Sequence, residues 1–263
     1  MSSVMQNNTY VSPKGPWAKL FLALFGVGIL YGSYRIYQNA TAFTVGLDYF
    51  SEDFQTYWMT LLYIQLPVLF GSGAAIVGWI WHTRDRHLDK LAPAEELRRY
   101  FVVLAQIMAF AVIAYLTASP FTEADAAWHQ VTVRDTDFTP THIVLFYFAI
   151  PMFIISGVVA FAYARTRLPQ FANRLSLPFA VVVAGPIMIM PNLGLNEWGH
   201  TFFYAEELFA APIHWGFVLL GWATFAAGGL VVQILTRVVE LTKVVSVSEG
   251  AESSRAVAVG VSV

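Results

Sequence analysis

Three residues in the middle of the chain have the types and the spacing of a metal site. Asp125 and His129 are four residues apart, so on a helix their side chains lie on one face and can bind the same ion. Thr139 and Pro140 are typical of a helix start, with Thr139 as the cap and Pro140 in the first position. His142 then lies in the first turn, where the helix dipole favours the neutral imidazole that a metal requires. We therefore predict that Asp125, His129 and His142 form a three-ligand site on two helices, with open coordination positions.

A second stretch of the chain repeats this pattern. Asn196 and His200 repeat the four-residue step, and Pro212 and His214 repeat the Pro-x-His helix start. Four of the six histidines of the chain lie in the two patterns. We predict a second metal position at Asn196, His200 and His214. Because an amide is a weak ligand, the alternative is that Asn196 only caps or braces a helix.

The composition indicates an integral membrane protein. Hydrophobic residues make up 57% of the chain and charged residues 12%, whereas charged residues make up about a quarter of soluble domains. The chain has no cysteine, which excludes disulfides, thiolate metal sites and a cysteine nucleophile. A metal in this protein must therefore be held by nitrogen and oxygen ligands.

Apolar segments of membrane length predict an all-α bundle of about six transmembrane helices. Each segment has roughly 18 to 25 residues, the length that a helix needs to cross the hydrocarbon layer. We expect the fifth segment to be broken or short, because it contains Pro186 and Pro191. The predicted spans are 16–37, 57–81, 100–119, 141–163, 176–193 and 212–236.

Three regions follow from this pattern. They are a polar N-terminal segment (1–15), a transmembrane helical domain (16–240) and a C-terminal tail (241–263). The first dozen residues have no basic region or small-residue cleavage site, so we expect no cleaved signal peptide. From Ser246 onward the sequence has little periodicity, and we expect a poorly ordered or partner-bound terminus.

The basic residues predict the orientation of the helices. Most of them lie before the first span, after the last one, or in the loops after the second and fourth spans, whereas Arg35 and Arg134 lie on the opposite side. Since basic residues are enriched in cytoplasmic loops, both termini are predicted to be cytoplasmic. The two metal patterns then lie towards the outer, periplasmic face.

Several strings of the chain resemble the C subunit of the copper membrane monooxygenases. This family includes particulate methane monooxygenase, ammonia monooxygenase and short-chain alkane monooxygenases, and the similarity extends over about residues 46–237. The strings are WHQ at 128–130, RDTDFTP at 134–140, PNLGLNEWGH at 191–200, FQTYWM at 54–59 and TRDR at 83–86.

The resemblance implies an all-helical subunit that is active only with A and B subunits, in a trimer of heterotrimers of the α3β3γ3 type. It implies that the protein lies in a bacterial inner or intracytoplasmic membrane, in contact with membrane lipids. The expected partners are a quinol-like reductant, dioxygen and a small gaseous substrate, and we expect no nucleic-acid partner.

The metal positions of the family correspond to the residues of both patterns. The resemblance implies copper at Asp125, His129 and His142, to which we assign the catalytic role, although a copper of the B subunit is the alternative. The second family position corresponds to Asn196, His200 and His214. Imidazole and carboxylate ligands suit copper, and zinc would fit the same residues.

The reaction implied is the copper-dependent activation of dioxygen. One oxygen atom enters a strong C–H or N–H bond, and the other is reduced to water with two electrons from the reductant. Two departures bear on the substrate: residues 143–147 read IVLFY where methane enzymes carry an acidic residue, and Tyr204 and Ala205 replace a bulkier Phe-Met pair. A larger pocket at Ala205 favours a short-chain alkane, with methane and ammonia as the alternatives.

Two other classes of protein fit parts of the pattern. A structural or assembly subunit would use the same ligands to brace the complex, while catalysis would take place elsewhere in the assembly. A metal or small-molecule permease is a remote alternative, because permeases place ionisable groups near the middle of the bilayer. The middles of the predicted spans are almost free of such groups.

Overall fold

The computed structural model shows an all-helical chain. The structure describes the backbone of residues 15–129, 138–203 and 206–260. Within these ranges it describes the side chains except at 129, 192–203, 206–217, 219–220, 249 and 252–260.

Ten α-helices are described, and three π-helical turns interrupt the long ones. The α-helices are α1 (Trp17–Thr41), α2 (Glu52–Phe54), α3 (Thr60–His82), α4 (Pro93–Leu116), α5 (Thr122–His129), α6 (Pro140–Val144), α7 (Ile150–Arg167), α8 (Pro169–Asn173), α9 (Leu177–Phe203) and α10 (Glu206–Gly260). The π-helical turns are π1 (Gln55–Met59), π2 (Thr117–Phe121) and π3 (Leu145–Ala149). Each turn joins the helices on its two sides into one longer rod.

A proline lies in or near two of the three π-helical turns. Pro120 lies inside π2, and Pro151 is the second residue of α7, which begins where π3 ends. A proline has no N–H to donate, so the regular pairing of each N–H with the carbonyl four residues earlier cannot continue through it. Short π-helical turns are frequent at functional sites, and π2 and π3 lie beside the residues that carry the predicted ligands.

Four of the described rods are long and apolar enough to cross a membrane. They are Trp17–Thr41, Glu52–His82, Pro93–Trp128 and Pro140–Arg167, and a shorter apolar stretch covers Leu177–Pro191. Many large apolar side chains on the first two rods are exposed, among them Phe21, Phe25, Ile64 and Phe70. The prediction of an all-helical protein with several membrane-length helices is confirmed.

Of the two alternatives expected for the fifth span, a break or a short length, the break is wrong. Helix α9 runs without a break from Leu177 to Phe203, with Pro186 and Pro191 inside it. Ending a helix within an apolar layer would leave several backbone groups without partners, which costs more than the one bond that each proline removes.

The described part of the tail is helical, and the expectation of a poorly ordered or partner-bound terminus stays a prediction. Helix α10 has 55 residues and continues through Ser246 to Gly260. Ser, Ala and Val do not prevent a helix from continuing once it has started, since adding a residue costs far less than nucleation.

Helix α7 lies at the centre of the bundle, where it packs against α3, α4 and α9. Helix α10 packs against α9 and α4, and α1 packs against α4. The core between these helices is aromatic. Its largest side chains, each less than 2% exposed, are Trp58, Trp128, Tyr100, Phe54, Phe121, Phe171 and Phe179.

A network of ionic and backbone contacts closes the end of the bundle that carries the basic loops. One guanidinium nitrogen of Arg99 donates to Asp85 Oδ2 and to the carbonyl oxygen of Arg167, both at 2.9 Å. The N–H of Asp85 donates to the carbonyl oxygen of Thr166 at 3.1 Å. These contacts join the loop after α3, the start of α4 and the end of α7, and α5 and α6 lie at the opposite end.

Candidate metal site

The structure brings Asp125 and His142 together at the end of the bundle opposite the basic loops. The Nε2 atom of His142 lies 3.4 Å from Oδ1 of Asp125. The His142 side chain is fully buried, and that of Asp125 is 15% exposed. Two of the three residues predicted for the first site are therefore neighbours, although 16 residues separate them and α5 and α6 are different helices.

The predicted start of α6 is confirmed. Thr139 is its cap, with φ −66° and ψ 158°, and Pro140 is in the first turn. The Thr139 hydroxyl accepts a hydrogen bond from the N–H of His142 at 3.0 Å. This contact satisfies one of the free N–H groups of the first turn and fixes the backbone of His142.

The imidazole of His142 lies in apolar surroundings. Its ring stacks on that of Phe146, with 4.6 Å between the centroids. Ile143 and Val144 are fully buried, and Leu145 is 4% exposed. The ring of Phe146 thus gives the imidazole an apolar neighbour.

Helix α5 is held in place from the end of α1. The indole N–H of Trp128 donates to the carbonyl oxygen of Ala42 at 2.7 Å, and Trp128 is 1% exposed. Near the other end of α5, one guanidinium nitrogen of Arg35 donates to the carbonyl oxygen of Pro120 at 2.9 Å and to Gln38 Oε1 at 3.2 Å. Arg35 is a basic residue on the side away from the basic loops, and these contacts give it a structural role beside the site.

Two hydroxyl groups join π2 to π3. The Thr117 hydroxyl donates to the carbonyl oxygen of Ala149 at 3.2 Å. The hydroxyl of Tyr31, on α1, lies 3.3 Å from that of Thr117 and 3.4 Å from the same carbonyl oxygen. Sequence reasoning missed both residues, and the available signal was a polar side chain inside an apolar segment.

The side chains of the other predicted ligands lie outside the described part of the structure. His129 is the last residue of α5, four residues after Asp125. Asn196 and His200 are in α9, and His214 is in α10. Among the described side chains, no group of three or more His, Asp or Glu residues is arranged to bind a metal ion. Residues 130–137, and with them Arg134, also lie outside the described ranges.

The described pair has the chemistry and the spacing of metal ligands. Two donor atoms at about 2.0–2.2 Å from one ion lie roughly 2.8–3.6 Å apart at square or tetrahedral angles. The separation of 3.4 Å between Asp125 Oδ1 and His142 Nε2 falls in this range. An imidazole nitrogen and a carboxylate oxygen are ligands that copper accepts, so Asp125 and His142 fit that metal without a large movement.

Comparison with known proteins identifies the family to which the chain belongs. Residues 3–245 match the family model for the C subunit of ammonia monooxygenase/methane monooxygenase. A comparison with curated protein sequences found no match. The matched segment includes both metal patterns and all ten described helices, except the last part of α10. The chain therefore belongs to the family of ammonia and methane monooxygenase C subunits, which are multi-pass membrane components of copper monooxygenases.

Proposed function

We propose that this protein provides copper ligands to a membrane monooxygenase that hydroxylates a small substrate. The observation that carries the proposal is the approach of His142 Nε2 to Asp125 Oδ1 at 3.4 Å in a buried position. Membership in this monooxygenase family supports the copper chemistry and the need for other monooxygenase subunits. Asp125, His129 and His142 form the proposed catalytic site.

The proposed role of each described residue follows from its surroundings. When bound, copper supplies the redox chemistry of dioxygen activation. Asp125 and His142 hold the metal, and the Thr139 cap keeps the His142 backbone in place. Phe146 limits the access of water, because its ring is buried and stacks on the imidazole. Excluding water strengthens every electrostatic interaction at the site.

Asn196, His200 and His214 form a second proposed copper position, with zinc as a substitute metal at either one. The helices that carry these residues are adjacent, since α9 and α10 pack together. The amide of Asn196 is a weaker ligand than the carboxylate of Asp125, so we expect this second position to bind copper less tightly than the first.

The proposed topology has six spans with both termini in the cytoplasm. The opposite placement of the Asp85–Arg99 contact and of the Asp125–His142 pair supports it, because basic loops favour the cytoplasmic face. The site then lies towards the periplasm of a bacterial inner or intracytoplasmic membrane. Residues 16–240 form one helical domain, with a polar segment at 1–15 and a tail at 241–263.

The proposed substrate is a short-chain alkane, and methane and ammonia are the competing substrates. The apolar residues after His142 support a hydrocarbon. The exchange that favours a larger substrate, at Tyr204 and Ala205, lies outside the described residues. The proposed partners are A and B subunits in an α3β3γ3 assembly, with a quinol-like donor of two electrons.

The test compares the wild-type complex in lipid with His129→Ala, His142→Ala and the control His87→Ala. His87 is exposed in the loop after α3, at the opposite end of the bundle. Copper X-ray absorption and EPR, metal analysis and size-exclusion chromatography are measured together with turnover of ammonia and of methane to butane. We expect His129→Ala and His142→Ala to assemble but to lose one copper signal and turnover, whereas His87→Ala behaves as the wild type.

Three other outcomes contradict parts of the proposal. Copper and turnover that persist in His142→Ala would move the chemistry to another subunit. A parallel loss of assembly, stability and activity in both variants would indicate a site that only braces the complex. Methane turnover much faster than that of ethane, propane or butane would contradict the alkane preference.

A further inference from the structure

A buried glutamine connects three helices next to the candidate site. Gln65 lies in α3 and is 5% exposed. Its amide Nε2 donates to the carbonyl oxygen of Ile143 at 2.8 Å, and its Oε1 accepts from the hydroxyl of Tyr34 at 3.0 Å. Tyr34 belongs to α1 and Ile143 to α6, so a single side chain joins α1, α3 and α6.

The position of Gln65 is costly unless both ends of the amide are bonded. Its neighbours Ile64 and Leu66 are apolar, and α3 is a membrane-length helix. An amide without partners in such surroundings loses several kcal/mol relative to water. Both polar atoms of Gln65 have partners here, so the amide is held rigidly between α1 and α6.

The hydrogen bond from Gln65 reaches Ile143, the residue that follows His142. Helix α6 has only five residues before it passes into π3. The N–H of His142 donates to the Thr139 hydroxyl at 3.0 Å, and the carbonyl oxygen of Ile143 accepts from Gln65 at 2.8 Å. The backbone on both sides of the His142 side chain is therefore tied, once within α6 and once from α3.

Tyr34 fixes the direction of the amide. Its ring stacks on Phe148 in π3, with 3.8 Å between the centroids and 5° between the planes. A hydroxyl that donates to Oε1 leaves Nε2 of Gln65 pointing at Ile143, since an amide has one acceptor end and one donor end. The packing of α1 against π3 thus determines which hydrogen bond Gln65 makes to α6.

We propose that Gln65 is a positioning residue that sets the orientation of His142 Nε2 towards Asp125 Oδ1. Tyr34 acts through Gln65, and the chain Tyr34, Gln65, Ile143 fixes the rotation of the first turn of α6. The effect on copper rests on the proposed function of the Asp125 and His142 pair. The effect on the geometry of the pair does not.

The test uses Gln65→Met, which keeps the length of the side chain but removes both polar atoms, and the milder Tyr34→Phe. The matched control is Gln170→Met. Gln170 accepts a hydrogen bond from Tyr100 at 2.7 Å and belongs to α8, near the basic loops, so it forms a second Tyr–Gln pair far from the site. All variants are purified as the full complex in lipid.

Two readouts separate positioning from general stability. The first is the copper affinity and EPR spectrum, for which we expect Gln65→Met to bind about 10-fold more weakly with altered hyperfine parameters. The second is the cryo-EM separation of His142 Nε2 and Asp125 Oδ1, which we expect to depart from 3.4 Å. Tyr34→Phe shows a smaller change of the same kind, and Gln170→Met shows neither.

An unchanged separation and spectrum in Gln65→Met would overturn the positioning role, even if the complex melts at a lower temperature. Equal changes in Gln65→Met and Gln170→Met would overturn it as well, because they would reflect general loosening. If His142→Ala keeps all copper but Gln65→Met still moves His142, the proposed function fails while the positioning role stands.

Discussion

The hydroxyl of Thr117 and the carbonyl oxygen of Ala149 form a hydrogen bond of 3.2 Å between two π-helical turns. One of these turns precedes the helix of Asp125, and the other follows the helix of His142. Tyr31 of α1 lies against the same pair of atoms, at 3.3 and 3.4 Å. The two rods that carry Asp125 and His142 are therefore joined by hydrogen bonds and not only by apolar packing.

Replacing Thr117 by Val should weaken this junction. The change keeps the shape but removes the hydroxyl, so we expect a loss of about 1 kcal/mol in the stability of the complex. Denaturation of the intact complex measures it. Thr242→Val is the control, because that hydroxyl bonds only within α10, to the carbonyl oxygen of Val238 at 2.8 Å. Equal losses in the two variants would show that the junction contributes nothing of its own.

Replacing Thr139 by Ala should lower copper affinity together with stability. The cap is lost, which costs about 1 kcal/mol, and the N–H of His142 loses its partner. Thr139→Ser keeps the oxygen and should behave as the wild type in copper titrations. Ser51→Ala removes a comparable cap, which accepts from the N–H of Phe54 at 3.1 Å, and should leave copper binding unchanged. Copper binding that is unaffected in Thr139→Ala would contradict this prediction.

The ion pair of Glu96 and Arg237 should stabilise the contact of α4 with α10. Two guanidinium nitrogens of Arg237 donate to the two carboxylate oxygens of Glu96, each at 3.0 Å. The side chain of Glu96 is 7% exposed, so Arg237→Leu leaves a nearly buried carboxylate without this partner. We expect a loss on the order of 1–3 kcal/mol, measured by thermal unfolding of the complex.

Glu240 provides the control for that prediction. It bonds to the same arginine at 3.1 Å, but its side chain is 60% exposed. Exposed pairs contribute little, because water screens them and their side chains lose entropy. Glu240→Ala should therefore be nearly neutral, and a loss as large as that of Arg237→Leu would indicate that burial of Glu96 is not the reason for the effect.

Asp85 should make the stability of the loop after α3 depend on pH. Hydrogen bonds from the His87 backbone N–H and from Arg99 hold the pKa of its carboxyl below the usual range. In the unfolded chain the pKa is about 3.9. Because the folded value is lower, the ionised carboxylate stabilises the protein above pH ~4, and this contribution is lost as the pH falls through the folded pKa.

The measurement for Asp85 compares thermal unfolding of the wild type and Asp85→Asn between about pH 7 and pH 3. We expect the wild type to be more stable at neutral pH and the difference to shrink as the carboxylate becomes protonated. Asp89→Asn is the control, since Asp89 is exposed in the same loop. A difference that stays constant over the whole range would contradict an electrostatic origin.

The sequence predicts those parts of the fold and site that depend on neighbouring residues. The Thr139 cap and Pro140 in the first turn are local features, and the structure confirms both. The apolar rods are likewise predicted from composition and length. The approach of His142 to Asp125 was expected from residue types, but its distance depends on how two helices pack.

Other features depend on contacts that no local pattern contains. The unbroken path of α9 through Pro186 and Pro191 depends on apolar surroundings that favour a continuous helix. Gln65 and Tyr34 are 31 residues apart, and Gln65 and Ile143 are 78 apart. A sequence pattern shows that a polar residue lies in an apolar segment, but it does not show with which carbonyl that residue forms a hydrogen bond.

The long-range contacts of α1 impose an order on the biogenesis of the protein. Tyr31 contacts partners that are 86 and 118 residues later in the chain, and Trp128 contacts the carbonyl of Ala42, 86 residues earlier. While the ribosome is still making the rod that begins at Pro140, Thr117 and Trp128 are already in the chain, but the Ala149 carbonyl that Tyr31 contacts is not yet present. The Asp125 and His142 pair becomes aligned only after that rod has been inserted and has docked on α1. We therefore expect any metal delivery to this pair to follow the insertion of that rod.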